Sequence, residues 1–156
     1  MVSQFSYLHP VAFYETDMAG LVHFSNFFRW MESAEHAFLH EIGFPPVKQE
    51  GETFWGWPRV RASCDYRDPV RYGDEVECRI FVKEIKLRSV VYFFRFYKTG
   101  LDGELVQVAK GEMTSVYAKF DVRNQAMAAL SLEEGLLGKI EEASAVAMKR
   151  LDANKV

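Results

Sequence analysis

The chain has 156 residues, 49% hydrophobic and 15% aromatic; that suits one globular domain with a substantial core and leaves no room for a separate cofactor domain. A formal net charge of −3 argues against a nucleic-acid surface, which needs a broad or strongly segregated basic excess. No segment approaches the ~18 apolar residues needed to span a bilayer, and the N-terminus has no charged region followed by an apolar run. A cytoplasmic protein without membrane association is expected.

Residues 5–13 read as a strand, with Pro10 pointing to an edge position or a bulge. The turn-rich stretch from Glu15 to Gly20 ends it. From Ser25 to Ile42 the apolar residues Phe27, Met31, Ala34, Phe38 and Ile42 recur three or four positions apart, which is one face of a helix, and Gly43 stops it. Phe28, Trp30, Ala37 and Leu39 widen that stripe, so the helix is expected to be nearly engulfed by its surroundings.

A polar loop to Thr53 leads into a β-rich half. In residues 57–66, Val60, Ala62, Cys64 and Tyr66 alternate with Arg59, Arg61, Ser63 and Asp65, the period of a half-buried strand. Residues 75–87 repeat the alternation, and 89–99 are almost continuously apolar, as in a central strand. Gly100 to Gly103 makes a hairpin loop, and residues 105–120 give a last long strand in which Gly111 implies a bulge or a close backbone approach. Ser131-Leu132-Glu133-Glu134 reads as a capping box opening a second helix to about Leu151, with Leu136, Ile140, Ala143, Ala147 and Leu151 on its packing stripe. Cys64 and Cys78 have no ligand or CxxC spacing and are read as free, partly buried thiols. His9, His36 and His40 are scattered without a third ligand, so no metal is expected.

The chemistry lies between Phe13 and Ile42. Asp17 stands in a turn just before a helix whose start offers unpaired N–H groups and a partial positive charge. Such donors can hold a developing oxyanion while a carboxylate attacks or activates water, the requirements for hydrolysing a carboxyl derivative. The plain alternative for Asp17 is a turn-forming residue.

The run Tyr14-Glu15-Thr16-Asp17-Met18-Ala19-Gly20-Leu21-Val22, followed by Asn26, Phe27, Trp30 and Glu32, resembles the 4-hydroxybenzoyl-CoA thioesterase-like family of acyl-CoA thioesterases. Later landmarks fall in the same order: Asp65-Tyr66-Arg67-Asp68-Pro69-Val70, Tyr72-Gly73-Asp74, Arg88-Ser89 and Ala109-Lys110-Gly111-Glu112-Met113-Thr114, so that the likeness covers about residues 8–120. It implies an α+β hotdog fold, a mostly antiparallel five-stranded sheet wrapped around the long helix, with the C-terminal helix added. It further implies a homodimer or homotetramer with acyl-CoA bound at the subunit interface, and no cofactor beyond the CoA of the substrate.

Residue by residue, the resemblance makes Asp17 the nucleophile or general base, the Phe24 backbone N–H the oxyanion donor, and Gly20 the loop glycine that lets backbone approach the ligand. Tyr14, His23, Arg88 and Ser89 are candidate substrate contacts, with Arg88 and Ser89 meeting CoA phosphate, and Glu32 and Asn26 take supporting roles. Tyr14 also reads as a packing residue, and His23 as a half-buried loop histidine. Three positions depart from the family pattern: His23 stands where an aromatic is common, Phe24 where His is common, and Glu35 where many relatives carry Arg. The same fold leaves two other readings: action on acyl carrier protein thioesters or as an acyl-thioester dehydratase or hydratase, and a non-catalytic acyl-CoA binding protein.

Overall fold

In the computed structural model, which describes residues 1–152 and side chains through Lys149, the elements are β1 (Gln4–Pro10), a 3-10 turn (Phe13–Glu15), α1 (Asn26–Glu41), β2 (Lys48–Glu50), β3 (Thr53–Gly56), β4 (Arg59–Tyr66), β5 (Glu75–Ile85), β6 (Ser89–Thr99), β7 (Leu105–Val116), β8 (Ala118–Asp121), β9 (Ala126–Ala129), α2 (Glu134–Leu137) and α3 (Ala145–Asp152). Five strands pair in the order β1-β5-β6-β7-β4, antiparallel throughout. Trp30, Met31, Ala34, Phe38 and Leu39 of α1 are buried with Val76, Ile80, Phe94 and Phe96 in one core, so the helix supplies one side of the hydrophobic layer and the sheet the other.

Two expectations about burial change. The helix is not engulfed: Arg29, Glu32, His40 and Glu41 are exposed and only one face is fully buried. Strand β4 is not half-buried either, because it forms a free edge with Val60, Ala62 and Tyr66 open to solvent. A register shift between Arg59 and Arg61 makes Val60 an extra residue in the ladder, and such a bulge re-aims its neighbours. Val60 is 64% exposed, while Arg59 reaches the carboxylate of Glu35 on α1.

Boundaries shift where local chemistry intervenes. The first strand stops at Pro10, where the chain coils into the 3-10 turn. The expected strand over 105–120 breaks at Tyr117, and β8 leaves for a second antiparallel sheet ordered β2-β3-β8-β9, whose strands are too short for a visible alternation. The C-terminal helix is two pieces. The Ser131 cap does not form; α2 begins after Glu133 without a side-chain cap and ends at Gly138. The chain then runs extended, with Val2 bridging Ile140 and the Ala143 N–H donating to the Val82 carbonyl at 2.7 Å. Pairing with the sheet margin thus displaces the helix while keeping Leu136, Ile140 and Ala143 buried; the Leu151 side chain lies outside the described residues. Both cysteines are free, Cys78 buried and Cys64 half-buried.

Gly111 makes the close approach its position implied, and the bulge falls instead at Val108, opposite Phe96 and Tyr97. A Cβ on Gly111 would lie 2.2 Å from Met31 Cε and 3.1 Å from the Ser63 carbonyl oxygen. Gly111→Ala is therefore expected to cost about 1–3 kcal/mol, read as a lowered denaturation midpoint. An undiminished midpoint would show that Met31 relaxes freely.

Glu35 is 0% exposed. Burial pushes its carboxyl above the usual range, against the pull of the Arg59 guanidinium. A raised folded-state pKa means a contribution present at low pH that is lost as pH rises through it. Arg59→Met removes the compensating charge, which for a buried pair costs about 3–5 kcal/mol. The destabilisation relative to wild type is expected to be larger at pH 7.5 than at pH 5, and a loss independent of pH would show that packing of the Arg59 stem dominates.

Candidate active site

Residues 15–23 form a tight hairpin. Thr16 bridges Val22 in antiparallel fashion, the His23 N–H donates to the Glu15 carbonyl at 2.9 Å, and the Asp17 N–H donates to the Leu21 carbonyl at 2.7 Å. At the tip, Asp17 Oδ1 accepts the Ala19 and Leu21 N–H groups at 2.8 and 3.2 Å, the side-chain turn that Asp favours. No bond among the described residues engages Oδ2. Gly20 closes the loop at φ 73, a conformation that costs glycine little, and a Cβ there would lie 3.9 Å from Arg71 Nη1.

The hairpin runs directly into α1. The Asn26 N–H donates to the His23 carbonyl and the Phe27 N–H to that of Phe24, so the first turn begins at Phe24. The Phe24 N–H has no acceptor among the described residues. It is one of the orphan donors every helix start leaves. Its carbonyl accepts the Tyr66 hydroxyl at 3.1 Å, a phenol that stays protonated, and so a donor, at neutral pH.

A groove of ≈ 280 Å³ adjoins this start, lined by Leu21, Val22, Phe24, Phe27, Tyr66 and Val70, with Arg67 and Asp68 contributing charge. Most of its lining side chains are apolar or aromatic, Phe24 among them. An uncharged acyl body with a polarised carbonyl fits such a lining.

The remaining predicted residues divide by position. His23 is exposed; its Nδ1 lies 2.8 Å from Ser25 Oγ and its ring rests 4.4 Å from that of Phe24. Tyr14 is 82% exposed, which removes the packing reading within one chain. Asn26 is buried and donates from Nδ2 to the Glu15 carbonyl at 2.8 Å. Glu32 sits at the rim, its carboxylate 3.6 Å from Arg59; the shielded acid is Glu35. Arg88 and Ser89 are not brought to Asp17 within one chain. Strand β5 starts beside the hairpin, where the Val11 N–H meets the Asp74 carbonyl, and its 11 residues span roughly 35 Å before the turn that carries them. Arg71 bridges Leu21, so this arginine, and not Arg88, stands at the Asp17 end.

Two residues of this region escaped the sequence reading. Tyr66 was read as a strand residue and as part of the Asp65-to-Val70 landmark, with no role at the site. Glu15 is 4% exposed, and its carboxylate is engaged by His9, Ala12 and Trp30; as one more acid in a turn it carried no visible mark. Among the described residues no group of three His, Cys, Asp or Glu side chains could hold a metal ion, and no helix is long and apolar enough to cross a membrane.

Residues 11–146 match the family profile of the Thioesterase-like superfamily. The chain is 34% identical over 94 residues, 60% of its length and 73% of the relative's, to a protein of Aquifex aeolicus (strain VF5) named as an esterase. It is 26% identical over 113 residues, 71% of its length and 80% of the other's, to 4-hydroxybenzoyl-CoA thioesterase of Pseudomonas sp. (strain CBS-3). The solved structure of the 4-hydroxybenzoyl-CoA thioesterase from that strain superposes with a TM-score of 0.75 at 19% identity, over 88% of this chain and 99% of that one. Sequence and architecture agree on one conclusion: the chain is a hotdog-fold enzyme of the thioesterase-like superfamily.

Proposed function

We propose that the enzyme hydrolyses the thioester of a compact acyl-CoA, aryl or branched, to the free acid and CoA, with Asp17 and the Phe24 amide as the working pair. The observation that carries this reading is the unpaired N–H of Phe24, a residue that lines a largely apolar groove at the start of α1 and is joined by a short hairpin to a carboxylate with one free oxygen. The relatives named for 4-hydroxybenzoyl-CoA and 1,4-dihydroxy-2-naphthoyl-CoA supply the aryl class, and Phe24, Phe27 and Tyr66 supply surfaces on which a ring can stack.

In the general-base form, Asp17 Oδ2 takes a proton from water as its oxygen adds to the thioester carbonyl. Negative charge develops on the carbonyl oxygen, which the Phe24 N–H and the helix dipole stabilise. Collapse expels the CoA thiolate, which takes up a proton. In the nucleophilic form Asp17 Oδ2 itself adds, the adduct expels the CoA thiolate, which takes up a proton, and water then cleaves the resulting anhydride at the Asp17 carbonyl to free the acid and the carboxylate. The bonds from Ala19 and Leu21 hold Oδ1 and suit either form by fixing the direction of Oδ2. Oxygen-18 water in a single turnover separates them, because only the anhydride route leaves label in Asp17. Nothing beyond water and substrate enters either scheme, so no cofactor is proposed.

The site reads as complete only in a pair of chains. Asp17 is exposed, whereas charge stabilisation is strongest where water is excluded. The free edge of β4, carrying Val60 and Ala62 beside Tyr66, offers unpaired backbone groups and apolar side chains for a second copy. A second copy would also be the source of Arg88 and Ser89 for CoA phosphate.

Two measurements test this. Asp17→Asn is expected to lower kcat on the best substrate of an acyl-CoA panel, assayed by thiol release, about 100- to 10,000-fold while substrate still binds; full activity would refute the assignment. Val60→Asp is expected to shift the protein toward monomer in light scattering and to lower activity in the same proportion. A fully active monomer would show that one chain suffices.

A further inference from the structure

We infer that Glu15 is a positioning residue whose buried carboxylate sets the orientation of the Phe24 amide, an inference that takes the thioesterase reading of that amide as its frame. Every arm of Glu15 is used. Oε1 accepts Trp30 Nε1 at 2.8 Å and Oε2 accepts the Ala12 N–H at 2.8 Å. His9 Nε2 lies 3.0 and 2.8 Å from the two oxygens. The main-chain carbonyl of the same residue accepts the His23 N–H at 2.9 Å and Asn26 Nδ2 at 2.8 Å.

The geometry follows from covalent connectivity. The Phe24 N–H belongs to the peptide that joins His23 to Phe24, and that plane is rigid. Glu15 holds the N–H on the preceding peptide and the side chain of Asn26, two residues beyond it. Its carboxylate meanwhile pins Trp30, one turn farther along α1, and β1 through His9. The carbonyl of that same peptide, on His23, accepts the Asn26 N–H at 3.0 Å, so the amide plane is fixed through His23 and Asn26, both held by Glu15, which is not among the residues that line the groove. Tyr66 adds a third hold on the carbonyl of Phe24. An oxyanion donor must point to where charge will develop before it develops, so that no reorganisation accompanies the reaction.

His9, on β1, is the titratable group that faces Glu15 directly, and the other donors, from Trp30 and Ala12, are neutral. Replacing the carboxylate by an amide keeps the volume and one acceptor but turns a donor toward His9 or Ala12. Removing it altogether leaves the buried Trp30 Nε1 and the half-buried Ala12 N–H without acceptors, which destabilises the fold itself.

Glu15→Gln is the informative variant. It is expected to lower kcat about 10-fold or more while KM stays within about twofold, since a misdirected oxyanion donor weakens the transition state and not the bound substrate. The amide resonances of His23 and Phe24 in a proton–nitrogen correlation spectrum of the unliganded protein are expected to shift more than those of β6, whatever the turnover. His9→Gln, which removes one arm only, is expected to give an intermediate loss and covers the case in which Glu15→Gln fails to fold. Unmoved His23 and Phe24 resonances, or a kcat within twofold of wild type, would overturn the role of Glu15. A wild-type protein that turns over no acyl-CoA would instead refute the proposed activity, and the resonances would still decide the positioning.

Discussion

A negative charge buried near the start of α1 organises this end of the molecule. Taking a carboxylate out of water is costly unless its lone pairs are met by donors, and for Glu15 they are, by an indole, a backbone amide and an imidazole. Burial alone would raise its pKa; the bonds from His9, Ala12 and Trp30 and the charge of His9 outweigh that and hold the carboxyl below the ordinary range. Charge-assisted bonds are roughly twice as strong as neutral ones. The result is a knot joining β1, the 3-10 turn and α1 where the chain reverses direction twice within a dozen residues. The hairpin that carries Asp17 grows out of this knot and is short enough to inherit its rigidity.

The second buried acid shows what happens when donors are fewer. Glu35 is as deeply enclosed, yet its pKa moves upward, because burial outweighs the opposing pull of the Arg59 guanidinium and the Ser115 hydroxyl. The two acids divide the helix between them. Glu15 fixes the end where chemistry is proposed, and Glu35 ties the middle of α1 through Arg59 to β4, the strand with the free edge. Displacement at that edge would therefore be felt along the helix and not only at the surface.

How much of this the sequence disclosed depended on the length and regularity of each signal. Sixteen residues of α1 and the 11-residue strands β5 and β6 repeat their periods often enough to be read directly. The three- and four-residue strands of the second sheet do not, and neither does the break at Tyr117, which is decided by pairing partners far away in the chain. The C-terminal segment has an amphipathic stripe that a helix or a strand margin can bury equally well, and tertiary pairing took the second option. Asp17, Gly20 and Asn26 were singled out by spacing and resemblance, and of these Asp17 and Gly20 share one tight turn whose partners lie within four residues. Glu15 stood in the same quoted motif but its partners are His9 and Trp30, six residues before it and fifteen after it, and nothing in a linear pattern of acids says which one will be buried.

The exposed residues around the hairpin give the same argument from the outside. Phe13, Tyr14, Met18, Phe24 and Tyr72 all stand largely open to solvent in one chain, with Phe13 and Tyr72 already in edge-to-face contact at 5.8 Å. Apolar and aromatic surface left open around the hairpin is unusual for a face meant to stay wet, and the interior that could have absorbed it is already filled by Trp30, Phe94 and Phe96. Covering these side chains with the proposed second copy would remove water from Asp17 and from the Phe24 amide together. Both electrostatic terms of the proposed reaction would strengthen in that step, since each scales inversely with the local dielectric. Assembly and catalysis would then share one surface, with the knot at Glu15 as the fixed point against which that surface is built.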